Sequence, residues 1–214
     1  MSKPRSLSLA FSLMVTAILE GPGEVSIAQI GGTGAKITIC VRDYARVSPD
    51  LLTRAEKETT RIFRESGFNV EWQGLPLSSQ DIKGDRDKVS RLGHAGFVLN
   101  IIAPSMVGRF RIRAEALGFA SPCPQDETGC IANIFFDRVR ELAGRGDASL
   151  AQVLGAAIAH EMGHLLLQSH AHSAEGIMRA RWRDTDLQRA SKGSLLFHPG
   201  QGDTLRKEVL KRLR

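Results

Sequence analysis

The residues best suited to chemistry form one short run, His160-Glu161-Met162-Gly163-His164. Two histidines four apart share one helix face, about one turn from each other. Their imidazoles can converge on a single zinc ion. Glu161 follows the first of them. From there it can reach a metal-bound water rather than the metal itself. As a general base it would take the water's proton and later pass it to a leaving amine. A third ligand is needed, with the fourth position left open. His170 and His172 are the two candidates downstream.

A run of this kind also arises by chance on solvated helices. The neighbouring residues argue against that here. Residues 150–159 are apolar almost all round, and Leu165, Leu166 and Leu167 continue the pattern, so a buried helix is expected. A His-Glu-His cluster inside such a helix is costly to desolvate unless something compensates it, and a metal ion does. Ser149 followed by Gln152 is a capping-box signature that opens this helix at Leu150. Its expected end is Leu167 or Gln168.

Other elements must position this helix. Lys36–Val41 alternates as a first strand, and Cys40 within it reads as a buried small hydrophobe. Ser48-Pro49-Asp50 opens a helix that Gly67 stops near Ser66. Phe68–Trp72 and Phe97–Ala103 read as strands, with a polar loop between them at Ser78–Arg91. Leu117–Ser121 and Ile131–Phe136 are two further short strands. After the His-rich helix comes a loop holding Arg179, Arg181, Arg183 and Arg189, then a basic amphipathic helix at about Asp203–Leu213. The order predicts an α/β fold. A mixed twisted sheet is backed by one helix and carries the active-site helix, and a small C-terminal subdomain ends in a helix.

Downstream of the two candidate ligands lies Gly176-Ile177-Met178. With these residues the sequence resembles the metzincin superfamily of zinc endopeptidases, whose pattern is H-E-x-x-H-x-x-G-x-x-H followed by a turn with a Met below the zinc. His160, Glu161 and His164 are in register, and His170 falls at the family's third-ligand spacing. The family's glycine would fall at Leu167, and a β-carbon resists the left-handed turn a glycine makes there. A helix that runs a residue or two further would carry the third ligand to His172. His172-Ser173 also resembles the family's His-Ser. Either histidine remains open.

The resemblance spans about Lys36 to Met178 and implies one catalytic Zn2+, with Met178 as an apolar floor beneath it. It also implies that Leu117, Gly118, Phe119 and Ala120 form an edge strand to which an extended peptide adds by main-chain hydrogen bonds. The implied activity is a zinc-dependent endopeptidase with Glu161 as general base and a peptide or protein as substrate. The alternative is a catalytically inactive zinc-binding domain of the same kind, acting as a basic envelope-binding module. A metal-dependent hydrolase of some other bond is a third reading.

The ends and the composition bound the rest. Lys3 and Arg5 precede an uncharged apolar stretch, Leu7–Leu19, and Ser26-Ile27-Ala28 offers small residues for a signal peptidase. Residues 1–28 therefore read as a signal peptide, 29–35 as a flexible leader and 36–214 as one domain. The expected location is exported, secreted or periplasmic, with no transmembrane segment in the mature chain and a monomer as the expected state. In that compartment Cys123 and Cys130, which flank a polar turn, can form a local bridge. Lys and Arg number 29 against 23 Asp and Glu, a net charge of +6. With one Tyr and two Trp there is little for bases to stack on, so no specific nucleic-acid binding is expected. Arg109, Arg111 and Arg113 alternate, which reads as a solvated face before it reads as recognition of acidic groups. Trp182, past Met178, is a candidate for lining a substrate pocket.

Overall fold

A computed structural model describes residues 35–75, 96–120 and 130–212. The expected signal peptide, residues 29–34 of the leader, the Ser78–Arg91 loop and Cys123 lie outside the described residues. Five strands form one sheet: β1 (Ala35–Asp43), β2 (Phe68–Gly74), β3 (Gly96–Ile102), β4 (Gly118–Ala120) and β5 (Cys130–Phe135). Their order is β2-β1-β3-β5-β4. Every neighbouring pair is parallel except β4 with β5, which is antiparallel. β4 therefore stands at one edge of the sheet.

Strand alternation sends two sets of side chains to opposite faces. Ile37, Ile39, Phe97, Leu99, Ile101, Ala132 and Ile134 join the main core. Cys40 and Val98 point the other way and pack with Leu75. Cys40 is fully buried, and Cys130 is disulfide-bonded.

Two long helices lie on the main-core face. The first, α1 (Pro49–Glu65), has Pro49 in its first turn and Ser48 as its N-cap, whose hydroxyl accepts from the Leu51 N–H. α1 packs along α3 (Leu150–Leu167), and the Thr59 hydroxyl reaches across to the Gly155 carbonyl at 2.9 Å. α3 carries the capping box: Ser149 accepts from the Gln152 N–H, and the Gln152 side chain accepts from the Ser149 N–H. Residues apolar on every side suit a helix buried on every side. By length and composition α3 could also cross a membrane, but 83% of it is buried inside this domain.

The structure adds helices that the sequence reading leaves out. α2 (Phe136–Ala143) follows β5 directly, so Phe136, expected to end a strand, begins a helix instead. Its N-cap, Phe135, offers no side-chain hydrogen bond, which removes the usual start signal. α4 (Asp184–Ser191) occupies part of what reads as an arginine-bearing loop and includes Arg189. Its cap is supplied backwards, by the Asp186 carboxylate accepting from the Arg183 N–H at 2.9 Å. The last helix, α5 (Pro199–Arg212), starts at Pro199 rather than Asp203. Gly200 and Gly202 obscure that first turn in the sequence. A short 3-10 turn, Pro104–Arg109, follows β3.

Candidate metal centre

Residues of α3 line the centre from one side. His160, Glu161 and His164 sit in its last two turns and are 9%, 5% and 5% exposed. The Nδ1 atom of His160 lies 2.7 Å from the Ile177 carbonyl, and Nδ1 of His164 lies 2.7 Å from the Ser169 carbonyl. A carbonyl only accepts, so each Nδ1 carries the proton and each Nε2 keeps a free lone pair. The two Nε2 atoms face each other 3.2 Å apart. Burial holds His160 far below the usual histidine range, at about 3, and also lowers His164. No proton therefore bridges the two nitrogens at neutral pH.

Two lone pairs facing each other repel, and a cation between them removes the repulsion. Nitrogens bound tetrahedrally at about 2.1 Å from zinc stand about 3.4 Å apart, close to the spacing found. His172 supplies the third imidazole. One ligand atom from each of His160, His164 and His172 lies within 4.8 Å of the others. The His172 ring stacks on His160 at 5.3 Å and meets His164 edge-on at 4.8 Å. Three neutral imidazoles, with carbonyls orienting two of them, fit a zinc ion. His170 is exposed and lies outside this group.

The chain reaches His172 through a turn that no glycine makes. α3 ends at Leu167, and Gln168 takes the left-handed conformation, with φ 49° and ψ 40°. The reversal thus falls one residue after Leu167. The Ser169 carbonyl that orients His164 follows at once.

A second turn then brings Met178 back under the helix. The Ser173 N–H donates to the Met178 carbonyl at 2.9 Å, and the Ile177 N–H donates to Leu196 at 2.9 Å. Arg179 clamps this turn. Its guanidinium donates to the Ala174 carbonyl and to the Asp186 carboxylate, the latter at 3.2 Å. Asp186 is 1% exposed, an acid that only a partner makes tolerable there. Met178 is fully buried, and its sulfur sits where a β-carbon on Gly163 would come within 2.7 Å. Gly163 is therefore what lets Met178 approach the helix between the two histidines. The Trp182 indole donates to the Ile177 carbonyl at 3.1 Å, the same oxygen that His160 uses. Its ring meets His160 edge-on at 6.0 Å.

β4 closes the other side. A β-carbon on Gly118 would stand 2.3 Å from the Asn133 carbonyl and 2.9 Å from the Glu161 side chain. Only glycine lets the edge strand lie this close to Glu161. Burial pushes the Glu161 carboxyl up to about 8 in the metal-free site, and a nearby cation would favour its ionised form. Ala120 is buried, whereas Phe119 points to the other sheet face and packs with Phe110 and Phe135. Leu117 is half-buried against the core, and its carbonyl accepts from the Phe135 N–H at 2.8 Å. Gly118 borders the site, while the Phe119 side chain belongs to an aromatic cluster elsewhere.

Several positioning groups are invisible in the sequence. Ser169 and Ile177 act through carbonyls, which carry no residue signal. Arg179 and Asp186 stand among many surface charges until the fold pairs them.

No family model matches the chain, and no curated protein matches it. Among solved structures it is similar to a zinc-dependent peptidase from Methanocorpusculum labreanum (strain Z), with a TM-score of 0.47 and 16% identity. That match covers 78% of this chain and 99% of the other. It is also similar to the archaemetzincin of Methanopyrus kandleri, with a TM-score of 0.45 and 18% identity over 85% of this chain and 99% of the other. The reading of the site rests on the side chains described above.

Proposed function

We propose that this protein is an exported zinc-dependent endopeptidase of the metzincin type. The observation that carries the reading is the pair of Nε2 lone pairs 3.2 Å apart, with His172 completing a three-imidazole set and Glu161 beside the first ligand. A zinc ion held by His160, His164 and His172 would supply a Lewis acid and lower the pKa of a water molecule. Glu161 takes a proton from the attacking water and returns it to the leaving nitrogen. Its burial keeps that proton from escaping to solvent. The edge of β4 offers main-chain groups to an extended peptide, and Gly118 keeps that edge within reach of Glu161. Met178 gives the site an apolar floor. The bonded state of Cys130 suits an oxidising compartment, which supports export.

The test is cleavage of an unfolded protein substrate by the zinc-loaded, metal-free and zinc-restored protein. The proposal expects cleavage to vanish on chelation and to return with zinc. A folded protein that binds zinc and cleaves no peptide would instead fit the inactive zinc-binding domain.

A further inference from the structure

The loop that leads into β4 carries three arginines that the reaction does not use. Arg109, Arg111 and Arg113 are exposed, and among the described residues none has an ion-pair partner. Exposed arginines are solvated by default, and two observations separate Arg113 from that default.

The first is that its backbone is fixed while its side chain has no partner among the described residues. The Arg138 guanidinium, stacked 4.3 Å over the Phe135 ring, donates to the Arg113 carbonyl at 2.8 Å and to the Ala116 carbonyl at 2.7 Å. Arg113 thus serves the fold through its main chain only. The second is location. Two residues on, Glu115 pairs with Arg181 at 3.6 Å, which ties the loop to the segment just past Met178. Five residues on, Gly118 lies against Glu161. The loop therefore spans from the helix side of the metal centre to its turn side.

We propose that Arg113 makes this site selective for substrates that carry a carboxylate near the bond to be cut. This deepens the peptidase reading and rests on the same site. An unpaired guanidinium on a fixed backbone presents a planar fork that matches a carboxylate in two hydrogen bonds. The acidic residue beside it, Glu115, is engaged by Arg181, so it leaves the Arg113 charge available. Arg109 and Arg111 extend the positive field along the approach and would speed encounter with an acidic peptide. The carboxylate has two possible sources, an Asp or Glu side chain or a free C-terminus.

The experiment uses zinc-loaded protein and three fluorescein-labelled octapeptides of Ala and Gln. One has a central Glu and an amidated C-terminus. A second replaces that Glu by Gln. A third is the Gln peptide with a free C-terminal carboxylate. Affinity is read by fluorescence anisotropy, and cleavage is read separately. The expected result is at least about tenfold tighter binding of one carboxylate peptide over the neutral peptide. That ratio should fall to about twofold in Arg113→Gln, while Arg111→Gln keeps most of it. Zinc content and thermal midpoint should not change, because the Arg113 carbonyl bonds remain. Whichever peptide is preferred identifies the source of the carboxylate. Equal binding of all three, or a preference that survives Arg113→Gln, overturns the proposal. The outcomes separate from the peptidase reading. Cleavage without acidic preference leaves the peptidase and removes this inference, whereas acidic preference without cleavage does the reverse.

Discussion

His160 and His164 stand on a helix fixed at both ends and packed on all sides, whereas His172 stands on an irregular chain between Gln168 and Arg179. The helix half needs only local rules. A capping box sets its start, an apolar surface sets its burial, and a four-residue spacing turns both imidazoles the same way. The turn half is assembled from separate pieces. A left-handed glutamine reverses the chain, Arg179 with Asp186 clamps the Met178 turn, and the Ile177 carbonyl joins Trp182 to His160. The helix half supplies the imidazole pair and the proposed base, and the turn half decides whether they are completed and aimed.

The largest effect should come from the helix half. Glu161→Gln removes the proposed base while keeping the shape, and kcat is expected to fall about 10²–10⁴-fold with zinc content unchanged. A variant that binds zinc normally and loses less than tenfold in rate would show that some other group moves the proton.

The turn half should answer through affinity. Trp182→Phe preserves an aromatic ring but withdraws the indole donor from the Ile177 carbonyl, so His160 is less firmly held. Zinc affinity should weaken about 10–100-fold, measured by competition with a chromophoric chelator. An unchanged affinity would mean that Ile177 holds His160 without help.

Acid and alkali should separate the groups of the metal-free protein. The folded pKa of His160 is depressed from 6.5 to about 3, so its contribution is present above 6.5 and is lost as pH falls. Burial lowers His164 and His172 too, and they add to the acid-side loss. Glu161 is raised from 4.5 to about 8, so its contribution is present below 4.5 and is lost as pH rises to about 8. Between these limits the His160 and Glu161 slopes oppose each other. Urea unfolding of chelated protein should therefore show a stability maximum near pH 6.5. A monotonic rise up to pH 8 would remove the burial argument for Glu161.

The smallest effect concerns Gln168. Its left-handed backbone disfavours any residue with a β-carbon, and its amide Nε2 is buried with no protein partner. Gln168→Gly should raise stability by about 1 kcal/mol with zinc binding retained. A loss of stability would show that the glutamine side chain holds the turn.

The contrast between the halves also explains what could be read in advance. α1 and α3 announce themselves through Ser48-Pro49 and Ser149-Gln152, residues whose side chains cap within three positions. α2 and α4 do not, because Phe135 offers no cap and Arg183 is capped by an acid inside the helix. His160, Glu161 and His164 are legible because one helix relates them. The choice between His170 and His172 is not, because it turns on the backbone angle of Gln168. Arg113 reads as solvated until Arg138 and Arg181 fix its loop beside the metal centre.

The measurement that tests the central claim most directly is zinc content, by mass spectrometry and metal analysis, of the protein and of its His170→Ala and His172→Ala variants. The account predicts about one zinc per chain in the parent and in His170→Ala, with His172→Ala losing it under the same dialysis. Folded parent protein without zinc, or retention in His172→Ala together with loss in His170→Ala, would contradict it.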